Sequence, residues 1–377
     1  MILPPATLGM LGGGQLGRFF VIAAHEMGYR ALVLDPDPHS PAGRIADQHL
    51  VAAYDDADAL DRVGATCAAV TTEFENVPAD TMAHLSKYVP VRPSAHCVAV
   101  AQNREREKTF LRDNGFPVGP FAVIRGESDI DAIGDGLLPG VLKIARFGYD
   151  GKGQTRIATR DDVRIAFHHF KNEACVLERF LPLDVEVSVV LARGQDGQAR
   201  CFAVAENRHR HGILDVSIVP ARISDSLRGE AEELALTLAH KLDYVGVLGV
   251  EFFVSGGQLL VNEIAPRPHN SGHYTIDACV TNQFEQQVRA LCGLPLGEAR
   301  LHTPAAMVNL LGDVWHAGEP RWDGLLHQPG IKLHLYGKHH ARPGRKMGHF
   351  TALDTSVERA VELALAARRR IGIGIED

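Results

Sequence analysis

The sequence predicts a mixed α/β and α+β fold that begins with a parallel α/β domain and ends in a small domain rich in β-strand. Three observations support this prediction. A strand, a glycine-rich turn and a helix follow one another over residues 7–27. Two apolar strands with one glutamate each form a hairpin within residues 247–264. The 377 residues suffice for two or three domains, at roughly 100–200 residues per domain.

In the first domain we expect strands at Thr7–Met10 and Ala31–Leu34, with a helix at Arg18–Met27 between them. The turn Gly12–Gly17 and the acid Asp35 formally satisfy the dinucleotide-binding pattern, so an NAD-dependent oxidoreductase is one alternative. The same turn is needed wherever a strand leads tightly into a helix, and a helix N-terminus accepts any phosphate.

Further strands are predicted near Ala68–Thr72 and Val89–Val91. Glu73 and Asn76 follow the first of these, at the strand ends where open α/β sheets bind ligands. They are therefore candidate substrate contacts, although Asn76 is equally suited to capping a helix.

A charged helix at Gln102–Asn114, closed by Gly115, indicates a boundary. The expected domains are therefore residues 1–100, 101–300 and 301–377. The strand Gly140–Ile144 presents Lys143, and the loop 148–154 is rich in glycine and carries a lysine. Its amides could close over phosphates, because this much glycine exceeds what a plain hairpin turn requires.

The strand Val176–Leu181 leaves through backbone that could face a planar base, and Glu186 on the next strand could reach a ribose. Either acid alone is more often a solvated strand end. After an expected strand at Cys201–Ala205, His209 is predicted to lie in a loop. A helix at Asp225–Tyr244 precedes the hairpin.

The hairpin places Glu251 and Glu263 in otherwise apolar strands, separated by the loop Ser255–Gly257. A three-residue loop would put both acids on one face, roughly diagonal to each other, whereas a two-residue loop would separate them. Paired carboxylates in an apolar setting need a cation, and Mg²⁺ suits hard oxygen ligands. The alternative is that one acid simply faces solvent.

The last section has expected strands at His302–Leu311 and Ile331–Tyr336, a basic turn at 337–349, and a helix at Val357–Arg370. Lys338 and Arg345 in the turn make an anion site plausible, because arginine forks fit phosphate. A solvated basic turn is the alternative.

Composition excludes several function classes. The formal charge of −7 and the lack of long basic runs argue against a nucleic-acid binder, but leave small phosphorylated ligands open. The six cysteines are scattered without CxxC spacing, which predicts reduced thiols in a cytoplasmic protein. We expect no signal peptide and no membrane span, since no segment reaches 18 consecutive apolar residues.

Together, these motifs resemble the ATP-grasp superfamily, in which two α+β subdomains enclose ATP and a carboxylate pair carries Mg²⁺. Within it, GGGQLGR, FENVP, GYDGKGQ, NEIAPRPHNSGH and RPGRKMGH are similar, in this order, to motifs of the N5-carboxyaminoimidazole ribonucleotide synthetase family. The last two motifs are the most specific. The resemblance covers nearly the whole chain.

The resemblance implies a ligase of purine biosynthesis. ATP would phosphorylate bicarbonate to carboxyphosphate, and the exocyclic amine of 5-aminoimidazole ribonucleotide would capture the carbon. The products would be the N5-carboxylated ribonucleotide, ADP and phosphate. Mg²⁺ is implied, but neither NAD nor biotin, since Ala265 and Ser271 stand where biotin carboxylases carry asparagine and glutamate. The family is commonly homodimeric.

The resemblance also implies roles for individual residues. ATP-binding residues are Arg104, Lys143, Gly148, Tyr149, Asp150, Gly151, Lys152, Gly153, Gln154, Glu178, Arg179, Phe180, Leu181, Glu186, His209, Asn262 and Glu263. Metal ligands are Glu251 and Glu263, and substrate-binding residues are Gln15, Glu73, Asn76, Asp150, Lys338 and Arg345. Catalytic residues are Asp150, Arg267, Lys338 and Arg345.

Two alternatives stay close to this assignment. Another ATP-grasp ligase, such as a formate-dependent purine transformylase, would share the ATP and metal residues but not the substrate residues. An inactive nucleotide-binding regulator would bind ATP without turnover. The retention of both acids, Lys143 and the glycine loop counts against that regulator.

Overall fold

The computed structural model describes residues 1–146 and 153–372. The first unit is a four-stranded parallel sheet in the order β3-β2-β1-β4. Its elements are β1 (Thr7–Leu11), α1 (Gln15–Glu26), β2 (Arg30–Leu34), β3 (Gln48–Leu50), α2 (Ala57–Thr66), β4 (Ala69–Thr72), α3 (Ala79–Leu85) and α4 (Ala95–Ala101). The parallel α/β prediction is confirmed. The expected strand at Val89–Val91 is only an isolated bridge between Val70 and Val91.

A second unit follows the helix α5 (Arg104–Asp113). It is a four-stranded antiparallel sheet in the order β5-β8-β6-β7. Its elements are β5 (Phe121–Ile124), α6 (Glu127–Asp131), β6 (Gly140–Ile144), β7 (Gln154–Ile157), α7 (Arg160–His169) and β8 (Cys175–Arg179). The glycine loop predicted between β6 and β7 lies mostly outside the described residues.

The third unit is a nine-stranded antiparallel sheet in the order β14-β13-β9-β11-β12-β15-β17-β16, with β10 paired to β9. Its strands are β9 (Val185–Arg193), β10 (Ala199–Cys201), β11 (Ala205–Arg210), β12 (Ile213–Val219), β13 (Gly246–Ser255), β14 (Gln258–Ala265), β15 (Ala305–Leu311), β16 (Ile331–Leu335) and β17 (Lys346–Leu353). Its helices are α8 (Asp225–Lys241), α9 (Thr275–Ala278), α10 (Gln283–Cys292), α11 (Trp322–Leu326) and α12 (Val357–Arg370).

Two features of this sheet differ from expectation. Residues 202–204 form no strand, whereas residues 206–210, which we expected to be a loop, belong to β11. The polar run Glu206–Arg210 is a strand because it pairs with β9 on one side and β12 on the other. The three strands after residue 301 continue the same sheet rather than forming a separate one. The domain boundaries at 100 and 300 stay a prediction.

The core of the third unit lies between α8 and the strands β9, β13 and β14. Helix α8 directs Ala231, Ala235, Leu238 and Ala239 into this core, with the spacing of one helical face. All six cysteines are unpaired, and all but Cys201 are buried. Among the described residues, no helix is long and apolar enough to cross a membrane.

Replacing Leu238 by alanine should lower the free energy of unfolding by about 2–5 kcal/mol, because the fully buried side chain leaves a cavity. Leu236 on the same helix is 39% exposed, so Leu236→Ala should stay within about 0.5 kcal/mol of wild type. Urea denaturation followed by circular dichroism measures both. Equal effects of the two substitutions would contradict this placement of α8.

Candidate active site

A cavity of about 1250 Å³ lies where the three units meet. All described residues that the sequence predicted for ligand binding or catalysis line it: Gln15, Glu73, Asn76, Arg104, Lys143, Gly153, Gln154, Glu178, Arg179, Phe180, Leu181, Glu186, His209, Glu251, Asn262, Glu263, Arg267, Lys338 and Arg345. The remaining five, Gly148, Tyr149, Asp150, Gly151 and Lys152, lie outside the described residues. Residues spread over more than 300 positions of sequence therefore share one cavity.

Glu251 and Glu263 lie opposite each other in the hairpin, but its loop length and strand register differ from those that the sequence predicted. Its loop has two residues, Gly256 and Gly257, because Ser255 pairs directly with Gln258. Both glycines have positive φ, +57° and +74°, as the tight turn that matches strand twist requires.

Regular pairing from this turn would have separated the two acids, as expected for a two-residue loop. A β-bulge instead leaves Asn262 as an extra residue, so that Glu251 lies directly opposite Glu263. The expected three-residue loop and diagonal arrangement are therefore wrong, but the shared face is correct. The bulge, not the loop length, restores the alignment.

Each acid has a basic side chain within ion-pair distance. His269 Nε2 lies 3.1 Å from Glu251 Oε1, and Arg104 Nη2 lies 2.8 Å from Glu263 Oε2. Burial opposes ionisation of Glu251, but the hydrogen bond and charge of His269 outweigh it and lower the pKa of Glu251 to about 2. The buried Asn262 Oδ1 has no hydrogen-bond partner. Two carboxylates and a free amide oxygen form a donor set that suits Mg²⁺.

Glu178 is the centre of a buried charge cluster. Its carboxylate lies 2.8 Å from Lys143 Nζ, 2.9 Å from Lys108 Nζ and 3.7 Å from Arg104 Nη1. Burial raises the pKa of Glu178, but the three cations outweigh this and hold the pKa well below its usual range. Lys143 and Arg104 of this cluster line the cavity, where they could contact a polyphosphate.

Lys108 was not predicted, although it is only 1% exposed. It lies four residues after Arg104 on α5, so both side chains project from the same helix face. That spacing in the charged run 104–108 was the signal that could have identified it.

Arg267 forms a two-pronged ion pair with Glu75, with Nε bonded to Oε2 at 2.5 Å and Nη2 to Oε1 at 3.2 Å. Burial raises the pKa of Glu75, but the guanidinium outweighs it and lowers the pKa to about 2. Glu75 was missed, and its signal was the second acid of the FENVP motif. The pair joins the first unit to the end of β14.

His209 lies on β11, not in the predicted loop, and its Nδ1 is 3.1 Å from Glu186 Oε2. Burial lowers the pKa of His209, but the adjacent carboxyl group of Glu186 outweighs this, so the pKa is raised. The pair therefore places a carboxyl group and an imidazole at one wall of the cavity.

Side chains of the protein itself accept hydrogen bonds from the backbone amides of the first glycine loop. Gly13 N donates to Asp35 Oδ2 at 2.7 Å, and Gly14 N donates to the carboxylate of Glu73. Tyr54 also donates to Asp35, at 2.7 Å. Asp35 and Glu73 accept from the backbone amides that a pyrophosphate would need, which disfavours the NAD alternative.

Gln15 is the first residue of α1 rather than part of the loop, and it lines the cavity. Burial raises the pKa of Glu73 to about 7. Asn76 does not cap α3, because Pro78 holds that position without a side-chain hydrogen bond. The capping alternative for Asn76 is therefore wrong.

The basic turn lies against the cavity and is not merely solvated. Lys338, Arg342, Arg345 and Lys346 all line it. Lys338 Nζ donates to the carbonyl of Lys346 at 2.7 Å, and Arg345 Nη1 to that of His340 at 2.9 Å. These hydrogen bonds to backbone carbonyls fix Lys338 and Arg345 within the turn that lines the cavity.

A second group of potential metal ligands, Asp277, His334 and His349, has ligand atoms within 4.8 Å of one another. The two imidazole rings stack at 22° with centroids 4.7 Å apart. A metal lies close to the plane of each imidazole that binds it, about 2.0–2.1 Å from the nitrogen, so two rings stacked face to face with offset planes are poorly placed to share one ion. The group is better described as a half-buried hydrogen-bonded pair, Asp277 with His334 at 2.9 Å, beside the stacked ring of the buried His349.

Three family models match consecutive parts of the chain. They are the ribonucleotide synthetase preATP-grasp domain over residues 5–102, the ATP-grasp domain over 109–284, and the phosphoribosylaminoimidazole carboxylase C-terminal domain over 305–363. The predicted ATP-grasp fold is therefore confirmed.

Relatives match over nearly the whole length. N5-carboxyaminoimidazole ribonucleotide synthase of Bacillus subtilis is 42% identical over 93% of this chain and 92% of the relative. A crystal structure of the ADP complex of an N5-carboxyaminoimidazole ribonucleotide synthetase has a TM-score of 0.91, with 42% identity over 98% of this chain and 97% of that one. The Aspergillus clavatus synthase in complex with ADP and 5-aminoimidazole ribonucleotide has a TM-score of 0.89, with 29% identity over 97% and 98% of the chains.

The matches agree with the cavity, in which paired carboxylates, a cation cluster and a basic turn face one another. The chain belongs to the N5-carboxyaminoimidazole ribonucleotide synthetase family of the ATP-grasp superfamily.

Proposed function

We propose that the chain catalyses the ATP- and bicarbonate-dependent carboxylation of 5-aminoimidazole ribonucleotide at N5, with release of ADP and phosphate, in purine biosynthesis. One observation carries the proposal. A single cavity has a nucleotide side, with paired acids and buried cations, and a side formed by the first unit and the basic turn. Family membership supports this reaction over a formate-dependent transformylase, because the C-terminal match is to a phosphoribosylaminoimidazole carboxylase domain.

On the nucleotide side, Lys143 and Arg104 would bind the ATP phosphates, and the backbone of residues 179–181 would face the adenine. Glu186 would accept a hydrogen bond from the ribose. The cations need no reorganisation, since Glu178 already holds Lys143 in place at 2.8 Å. Phosphoryl transfer depends mainly on positioning and charge neutralisation, which this arrangement supplies.

Glu251, Glu263 and Asn262 would hold Mg²⁺. The observation that fits this ion is the unpartnered Oδ1 of Asn262, which lines the same cavity as the two acids. Bound Mg²⁺ would neutralise charge on the β and γ phosphates and orient them. Arg267 would stabilise charge on the transferring group, oriented by its ion pair with Glu75.

On the other side, Gln15, Glu73 and Asn76 would bind the ribonucleotide together with Lys338 and Arg345. The basic turn would bind its phosphate. Asp150, by resemblance, would orient or deprotonate the amine, and the loop 148–154 would exclude water from the labile carboxyphosphate.

We further propose a cytoplasmic homodimer. Six unpaired cysteines suit a reducing compartment. Exposed apolar side chains in the first unit, Leu3, Val51 and Tyr88, offer surface for a second copy. Light scattering after gel filtration should give twice the chain mass of 41.0 kDa, and a mass of one chain would contradict the dimer.

In an assay that contains Mg²⁺-ATP, bicarbonate and 5-aminoimidazole ribonucleotide, Glu263→Gln should lower the rate of ADP release by about 100-fold or more. The reason is that a neutral amide replaces a charged metal ligand. Wild-type release should depend strongly on the ribonucleotide. The matched control is Glu233→Gln on the exposed side of α8, which should behave as wild type.

Two results would count against this assignment. If ADP release by the wild-type protein does not depend on the ribonucleotide, the proposed substrate is wrong. An unimpaired Glu263→Gln variant would reject the metal site while leaving the substrate open. Circular dichroism of both variants shows that they remain folded.

Glu73 generates a pH prediction. With its pKa raised to about 7 by burial, it is protonated below and ionised above that pH. If the carboxylate accepts hydrogen bonds from the ribonucleotide, the KM for that substrate should rise as pH falls through 7. Glu73→Gln should raise KM and remove this pH dependence.

The substrate phosphate also titrates, at about pH 6, and this affects wild type and variant alike. The informative quantity is therefore the ratio of the variant KM to the wild-type KM at each pH. Asp80→Asn, an exposed acid at the start of α3, is the control and should give a constant ratio of about one. A pH-independent ratio for Glu73→Gln would rule out Glu73 as the titrating group.

A further inference from the structure

The bulge that aligns the two acids lies at the edge of the sheet. β14 is the outermost strand of the nine-stranded sheet and pairs only with β13 along the sheet order. Along such an edge strand, alternate amides point away from the ladder and need other acceptors. In β14, Val261 N donates to the carbonyl of Pro117 at 2.7 Å, and Ile264 N donates to Glu107 Oε1 at 2.6 Å.

The spacing of these two outward amides reflects the bulge. Regular alternation after Val261 would turn the amide of Glu263 outward, not that of Ile264. The extra residue Asn262 shifts the alternation by one position. Oε1 of Glu107 therefore accepts from an amide that points outward only when the bulge is present.

Glu107 is placed for this role by its helix. It is 2% exposed and lies one turn after Arg104, whose guanidinium pairs with the Glu263 carboxylate at 2.8 Å. One face of α5 thus contacts both the side chain of Glu263 and the amide of the next residue.

We propose that Glu107 is a positioning residue for the metal site: by accepting from Ile264 N, it holds the bulged register in which Glu263 faces Glu251. Without this acceptor, the regular register of the two-residue turn competes. That register puts Asn262 opposite Glu251 and turns Glu263 to the other face of the sheet. The inference rests on the proposed Mg²⁺ site.

Three substitutions test the acceptor and its reach. Glu107→Gln keeps a side-chain oxygen acceptor on a side chain of the same length, Glu107→Asp keeps the carboxyl group but shortens its reach, and Glu107→Ala removes the acceptor. Glu105→Ala is the matched control on the same helix, since Glu105 pairs with Arg125 at the surface.

The first readout needs no turnover. Titration of Mn²⁺ into the ADP complex should show affinity reduced by about 10- to 100-fold in Glu107→Ala and Glu107→Asp, with Glu107→Gln and Glu105→Ala within about 2-fold of wild type. In the metal-free protein, the backbone amides of residues 259–265 should exchange hydrogen faster in Glu107→Ala and Glu107→Asp than in wild type, but not in Glu107→Gln.

The second readout is kinetic. The Mg²⁺ concentration for half-maximal ADP release should rise in Glu107→Ala and Glu107→Asp, while the KM for the ribonucleotide stays within about 2-fold of wild type. Wild-type metal affinity in both of these variants, or equal impairment in Glu107→Gln, would overturn the proposal. If Glu107→Ala does not fold, the comparison of metal affinity between Glu107→Asp and Glu107→Gln tests the proposal.

The two proposals fail differently. If wild-type protein shows no ribonucleotide-dependent ADP release, the proposed function is wrong, whatever Glu107 does. If wild type is active and Glu263→Gln is impaired, but Glu107→Ala binds Mn²⁺ normally, only the positioning role is wrong.

Discussion

Two partly buried carboxylates that face each other across an apolar hairpin impose the main constraint on this structure, because charges held in an apolar setting have to be balanced. His269 lies against Glu251, while Arg104 bridges Glu263 and the cluster around Glu178. Removing one partner of a buried pair such as Lys108 and Glu178 costs roughly 3–5 kcal/mol, since the other charge is left uncompensated. The same charges that stabilise the junction of α5 with β8 and β14 also form the nucleotide side of the cavity, so stability and ligand binding depend on one set of residues.

The ion pair of Glu75 with Arg267 connects the two sides of the cavity. Glu75 belongs to the segment after β4 that also contains Glu73 and Asn76, whereas Arg267 follows the hairpin. A ligand that contacts this segment acts close to the group that would stabilise phosphoryl transfer. The arrangement places the proposed ribonucleotide contacts and the proposed phosphoryl site within one charge network, which suits a reaction with a labile intermediate.

The first unit shows why a short motif does not identify a ligand. Its strand, glycine turn, helix and acid have the order of a dinucleotide site, yet Asp35 and Glu73 occupy the amides of Gly13 and Gly14. The pattern specifies a tight strand-to-helix connection, and the acids around it decide which ligand can approach.

The sequence by itself determined the parallel first domain, the hairpin with its two acids and a large part of the polar cavity lining, because hydrophobic periodicity, glycine turns and long motifs are local signals. It did not determine the register of that hairpin: the bulge at Asn262 depends on Glu107, which lies far away in sequence and reaches Ile264 only in the folded chain. The strand at Glu206–Arg210 was missed for a similar reason, since polar residues form a strand there only through pairing on both sides. Buried partners such as Lys108 and Glu75 likewise became visible only when the tertiary structure removed them from water and placed them against opposite charges.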